Sequence, residues 1–152
     1  MYPLEVSFKL NEDEGFQTTS ENKDTVLFKN SISGKENHFS PTEMLLLSMG
    51  TCSSDDVVSI LKKMRLNIES YDVTVYGERR EEHPKTLKFV NITYIINGRI
   101  DPAKIKRAIN LSLTKYCSVS IVVKNGGADL RYSLIVNGEK IEEKKIPEVV
   151  DE

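Results

Sequence analysis

Cysteine and histidine are scarce in this sequence, and neither is spaced to hold a metal. The 152 residues contain two cysteines, Cys52 and Cys117, and two histidines, His38 and His83. None falls in a CxxC or HxxxH pattern, so neither a structural metal nor a metal cofactor is expected. Two cysteines are also too few for a disulfide scaffold; in a reducing compartment they read as thiols, packed or reactive. Charge of one sign is lacking as well. With 21 Lys and Arg against 23 Asp and Glu, the net charge is -2 and the signs are interspersed. No basic face is available for nucleic acid or an anionic membrane. No apolar run approaches the roughly 20 residues that span a bilayer. The opening MYPLEVSFKLNEDEG lacks a basic segment followed by an apolar stretch, so no secretory leader is expected. These absences predict a cytoplasmic protein without nucleic-acid or membrane partners.

What is present is one domain's worth of alternating and helical patterns. LEVSFKL (4–10) and DTVLFK (24–29) read as strands, with GFQTTS a third short strand between them. At HFSPTEMLLLSMGTCSSDD, Ser40 stands at N-cap, Pro41 at the first helical position and Glu43 two places later, the signature of a capping box. The helix predicted from there runs over 41–65. Met44, Leu45, Leu46, Leu47 and Met49 make its first turns apolar on every side, which predicts a helix enclosed by other structure, as core or as a dimer interface.

Two alternating strands follow (69–79 and 86–98), joined by a charged connection containing His83-Pro84, and read as an antiparallel hairpin. Asp101-Pro102 opens a second helix, AKIKRAINLSLTKY, directly before Cys117. SVSIVVKN is ambiguous between strand and helix, and 129–138 alternates as a last strand. The domain is expected over 1–138, with 139–152 a charged, loose tail. Strands grouped beside helices, without a βαβ rhythm, predict an α+β domain with helices on antiparallel sheet.

Cys52 and Cys117 each lie in or beside a helix. They read either as small buried hydrophobes or as a dithiol that cycles through sulfenic acid and disulfide, and pattern alone leaves both open. A helical SVSIVVKN would place Cys117 at a helix N-terminus, which lowers a thiol pKa. Asp55 and Asp56 would raise that of Cys52 if they faced it.

The stretch SPTEMLLLSMGTCSSDDVVSILKKMR, followed by KYCSVS, resembles the signature pair of the OsmC/Ohr family of osmotically inducible and organic hydroperoxide resistance proteins. The REEHP connection and GGADLRYSLIVNG are also similar, particularly to the YhfA-like branch. The resemblance implies an intertwined α+β homodimer built on antiparallel sheets, with the long helices buried at its centre. It implies a thiol-dependent peroxidase acting on small organic hydroperoxides, an antioxidant stress-response activity. Cys52 would be the attacking cysteine and Cys117 the resolving one, with a dithiol reductant and no cofactor. Two features differ from the peroxidase branch. There a glutamate directly follows the helix-opening proline, whereas here Thr42 intervenes before Glu43. That branch also holds its cysteine as thiolate with an arginine from the preceding segment, and this chain has none before Arg65. Lys29, Lys35 and His38 are the cations that could substitute. Nine helical residues separate Glu43 from Cys52 by about 13 Å along the axis, so a catalytic Glu43 would come from a second chain. The alternative function is a dimeric redox-sensing or apolar-ligand-binding module of the same fold with little turnover.

Overall fold

The computed structural model describes residues 3–33 and 35–151, and they form two compact units that divide after Leu45. The first unit is a three-stranded antiparallel sheet of β1 (Phe8–Asn11), β2 (Gly15–Thr18) and β3 (Leu27–Phe28), in the order β1-β2-β3. Gly15 closes the β1–β2 turn with φ at 118°, a conformation that costs a residue with a Cβ dearly. The three expected strands are present, each shorter than its sequence pattern.

The long helix α1 (Pro41–Lys63) begins at the end of the first unit and continues through the second. Its N-terminus is the expected capping box: the Glu43 N–H donates to Ser40 Oγ at 3.2 Å, and the Ser40 N–H donates to Glu43 Oε1 at 3.0 Å. Its C-terminus closes on Arg65, which adopts φ 59°. The Arg65 N–H bonds to the Lys62 carbonyl at 2.9 Å and the Leu66 N–H to that of Leu61 at 3.0 Å, the paired bonds of a Schellman cap.

The second unit carries a four-stranded sheet, β4 (Ser70–Arg79), β5 (Leu87–Asn97), β6 (Asp129–Val136) and β7 (Glu139–Lys145), in the order β4-β5-β6-β7. β4–β5 and β6–β7 are antiparallel, but β5–β6 is parallel, so this sheet is mixed rather than antiparallel throughout. The parallel pair exists because α2 (Pro102–Leu111), a π-helical turn (Ser112–Tyr116) and α3 (Ser118–Asn125) carry the chain back across the sheet. Asp101 caps α2 as expected, accepting the Ala103 N–H at 3.0 Å. SVSIVVKN is helical, and the predicted tail is largely strand: β7 pairs with β6 from Tyr132 to Val136.

The core is the layer between this sheet and the helices. Met49, Val57 and Leu61 of α1, Val90, Ile92, Tyr94 and Ile96 of β5, Ile105 and Ile109 of α2, and the alternate residues Leu130, Tyr132, Leu134 and Val136 of β6 are among its buried side chains. Each such aliphatic side chain contributes roughly 1.5–3 kcal/mol on burial. Within one chain α1 is covered along a single stripe. Only Met49, Gly50, Ser53, Val57 and Leu61 are buried, while Leu45 and Leu47 remain 38% and 42% exposed. By length and composition α1 could cross a membrane. Its buried stripe instead packs on its own sheet, and Asp55 and Asp56 sit mid-helix, where a bilayer would penalise them by several kcal/mol. Gly50 lets this packing close: a Cβ there would lie 2.8 Å from Val75 Cγ2.

Candidate functional site

Cys52 sits on α1 between the buried residues Met49, Gly50 and Ser53, and its side chain is partly exposed. Cys117 is delivered by the π-helical turn. Its N–H reaches back five residues to the Ser112 carbonyl at 2.8 Å, and the wider coil of that turn ends α2 earlier than its apolar stripe suggests. The backbone then extends at Cys117 and α3 begins, with Cys117 as its N-cap. Both cysteines are free thiols, and Cys117 is fully buried.

The Cys117 sulfur accepts the Ser120 N–H at 3.5 Å and donates to Ser120 Oγ at 3.1 Å, with the Met49 carbonyl 3.9 Å away. The Cys52 thiol is near enough to act on it electrostatically. The helix N-terminus does not make Cys117 acidic, contrary to the expectation from position alone. Burial outweighs the two Ser120 contacts, the Cys52 thiol adds to it, and the Cys117 pKa is pushed up to about 11. No lysine or arginine is among the groups that set it.

Around the thiols lies a group of hydroxyls that the sequence reading did not single out. Ser53 and Tyr94 bond through their hydroxyls at 2.5 Å, Ser112 Oγ is 2.9 Å from Ser53 Oγ, and Ser112 also donates to Asp56 Oδ2 at 2.8 Å. Asp56 therefore faces Ser112; burial raises its pKa, the Ser112 bond opposes this, and the Asp55 charge adds to it. Tyr71 adds a buried hydroxyl without a hydrogen bond of good geometry. Burial pushes its pKa up to about 12, and contact with Ser54 only moderates this. A signal for Ser53 was present in the sequence. It stands in the row Met49, Ser53, Val57, Leu61, a polar residue at a core position of a helix. An open cleft of about 430 Å3, lined by Asp55, Asp56, Ser59, Ile60, Lys63 and Tyr116, borders this group.

Glu43 is engaged in the capping box, and its carboxyl is held below the usual range by the Ser40 backbone N–H and hydroxyl. Among the described residues no hydrogen bond joins it to either thiol. The three candidate cations of the first unit already face carboxylates: Lys29 pairs with Glu36 at 2.6 Å, and Lys35 and His38 both pair with Glu14, at 3.8 and 2.7 Å. His83 lies on the exposed connection between β4 and β5. No group of three or more His, Cys, Asp or Glu suited to a metal occurs among the described residues.

A family model described as OsmC-like protein matches residues 34–133. Protein YhfA of Escherichia coli K12 is 43% identical over 86 residues, 56% of this chain; the match covers 64% of YhfA, just under two thirds of its length. A hypothetical protein from Aquifex aeolicus VF5, known as a crystal structure, is 32% identical with a TM-score of 0.79, over 90% of this chain and 98% of that one. The organic hydroperoxide resistance protein OhrB of Bacillus subtilis aligns over 90% of this chain and 98% of its own at 13% identity and a TM-score of 0.55, a likeness of fold alone. With the long-helix segment and both cysteines inside the matched residues 34–133, about two thirds of its length, the chain belongs to the OsmC-like protein family.

Proposed function

We propose that the protein is a thiol-dependent peroxidase for small organic hydroperoxides that works through Cys52 and Cys117. The observation carrying this reading is the pairing of a partly exposed thiol with a buried one whose pKa it helps to raise. Cys52 attacks the peroxide oxygen, releasing an alcohol and becoming a sulfenic acid. Cys117 condenses with it to a disulfide, releasing water, and a dithiol donor reopens the bond. Likeness of fold to organic hydroperoxide resistance proteins of Legionella pneumophila and Bacillus subtilis, within the same family, supports the substrate class. Glu43 joins the site from a second copy of the chain in this reading. The uncovered Leu45 and Leu47 on α1 supply the apolar face for that homodimer.

Purified protein should consume cumene hydroperoxide in the presence of dihydrolipoamide or dithiothreitol. Cys52→Ser should abolish turnover, and Cys117→Ser should stop the cycle after one equivalent. Turnover equal to that of Cys52→Ser would refute the assignment. A redox sensor that forms its disulfide once, without efficient cycling, is the second reading. It is favoured by the absence of a cation among the groups acting on Cys117 and by the carboxylate pairing of Lys29, Lys35 and His38.

A further inference from the structure

Asp56, Ser112, Ser53 and Tyr94 come from three elements, α1, the π-helical turn and β5, and form one continuous run of hydrogen bonds. Ser53 and Ser112 are fully buried, as is Tyr94. A serine hydroxyl has one proton, and an ionised carboxylate is the stronger acceptor. Ser112 therefore gives its proton to Asp56, Ser53 gives its own to Ser112, and Tyr94 donates to Ser53. Every donor in the run points toward the carboxylate.

Packing alone does not call for these groups. Alanine, valine and phenylalanine would fill the same volume, and a buried hydroxyl left unpaired costs about 1–3 kcal/mol. What distinguishes the run is where its ends attach. Ser53 directly follows Cys52 on α1, and the Ser112 carbonyl closes the turn that ends on Cys117. The side chain of Ser112 thus ties the turn carrying one cysteine to the helical turn carrying the other. Among the described residues the hydrogen bonds of the Cys117 sulfur, to Ser120 and the Met49 carbonyl, are weak, so its position is set mainly through its backbone.

We propose that Ser112, anchored by Asp56 and Ser53, is a positioning residue that holds Cys117 against Cys52 for the disulfide-forming step. The proposal rests on the two-cysteine reading above. In that step Cys117 loses its thiol proton and its sulfur pair forms the S–S bond. The S–O bond of the Cys52 sulfenic acid breaks, and the departing hydroxide takes the proton to leave as water. A hydroperoxide has already supplied the oxidising equivalents, being reduced to its alcohol. The competing fate is a second hydroperoxide oxidising the sulfenic acid to sulfinic acid. A disulfide tolerates only a narrow range of Cα separations, and a misplacement of about 1 Å can slow such a step by up to about 100-fold.

The test is a peroxide titration of wild type, Ser112→Ala, Ser112→Thr and Asp56→Asn with cumene hydroperoxide. Intact mass after thiol alkylation then separates disulfide, dimedone-trapped sulfenic acid and sulfinic acid. Ser112→Ala and Asp56→Asn should lower the ratio of disulfide to sulfinic acid by roughly ten-fold or more. The rate at which the Cys52 thiol disappears should stay within about two-fold of wild type, and Ser112→Thr should restore the ratio. An unchanged ratio overturns the proposal, as does an equal loss in both steps, which marks general damage to the fold. Should Ser112→Ala fail to fold by thermal melt, Asp56→Asn carries the same comparison. Wild-type protein whose thiols peroxide leaves untouched overturns the two-cysteine reading itself.

Discussion

Cys117 combines two influences that pull in opposite directions. Its place as the N-cap of α3 gives it the Ser120 N–H, while complete burial removes the water that a thiolate needs. Burial prevails, and the pKa rises from the ordinary 9 to about 11. A raised pKa means that the folded state holds the proton more tightly than the unfolded chain. The stabilisation is complete below pH 9 and is lost as pH climbs from there to about 11. Tyr71, raised from 10 to about 12, acts in the same direction over a window one unit higher. Reduced protein should therefore lose stability to urea steadily above pH 9, and Cys117→Ala should flatten the lower part of that decline. In the folded protein at pH 8, iodoacetamide should label Cys52 well before Cys117. Equal labelling rates would contradict the burial argument.

At the scale of elements, the caps decide where the helices begin and end. Arg65 pays for the end of α1 by occupying the left-handed region, which costs an L-residue roughly 1–2 kcal/mol relative to glycine. Arg65→Gly keeps both bonds of the Schellman cap, and part of this gain is offset by the freer unfolded chain. The variant should be more stable by about 0.5–1 kcal/mol, a rise of about 2–4 °C or less in Tm by scanning calorimetry. A fall in Tm would show that the arginine side chain matters more than its backbone.

These caps were also the most legible features of the sequence. Ser40, Pro41 and Glu43, or Asp101 and Pro102, fix a helix start within four residues, so the local signal is the whole cause. The π-helical turn was not legible, because LSLTKY carries an ordinary helical pattern and its widening shows only in the bond from Cys117 to Ser112. Nor was the parallel β5–β6 pair, since alternation within 129–138 specifies a strand but not its direction. The hydroxyl run joins residues 41 to 59 positions apart, and no local pattern records such a meeting. The cysteines themselves stood out in the sequence, while the groups that tie their turns together did not.

For the whole molecule, the face of α1 left open by its own sheet is an unfinished surface. Leu47, at 42% exposure on a helix whose opposite stripe is dry, should be covered by a second copy. Light scattering during gel filtration should give twice the 17.2 kDa chain mass. Leu47→Glu should shift the protein to the monomer with its far-UV circular dichroism retained. A wild-type monomer at micromolar concentration would remove the route by which a second Glu43 reaches the cysteines.

The charged segment after Gly138 matters for solubility. As β7, with Ile141 as its lone apolar residue among lysines and glutamates, it forms the outer rim of the four-stranded sheet. Its repelling side chains shield the backbone of β6, whose Leu130, Tyr132, Leu134 and Val136 would otherwise border an unpaired strand suited to joining another sheet. A chain cut after residue 138, where the composition turns to charge, would bare that strand and turn a gatekept sheet into a seed for aggregation.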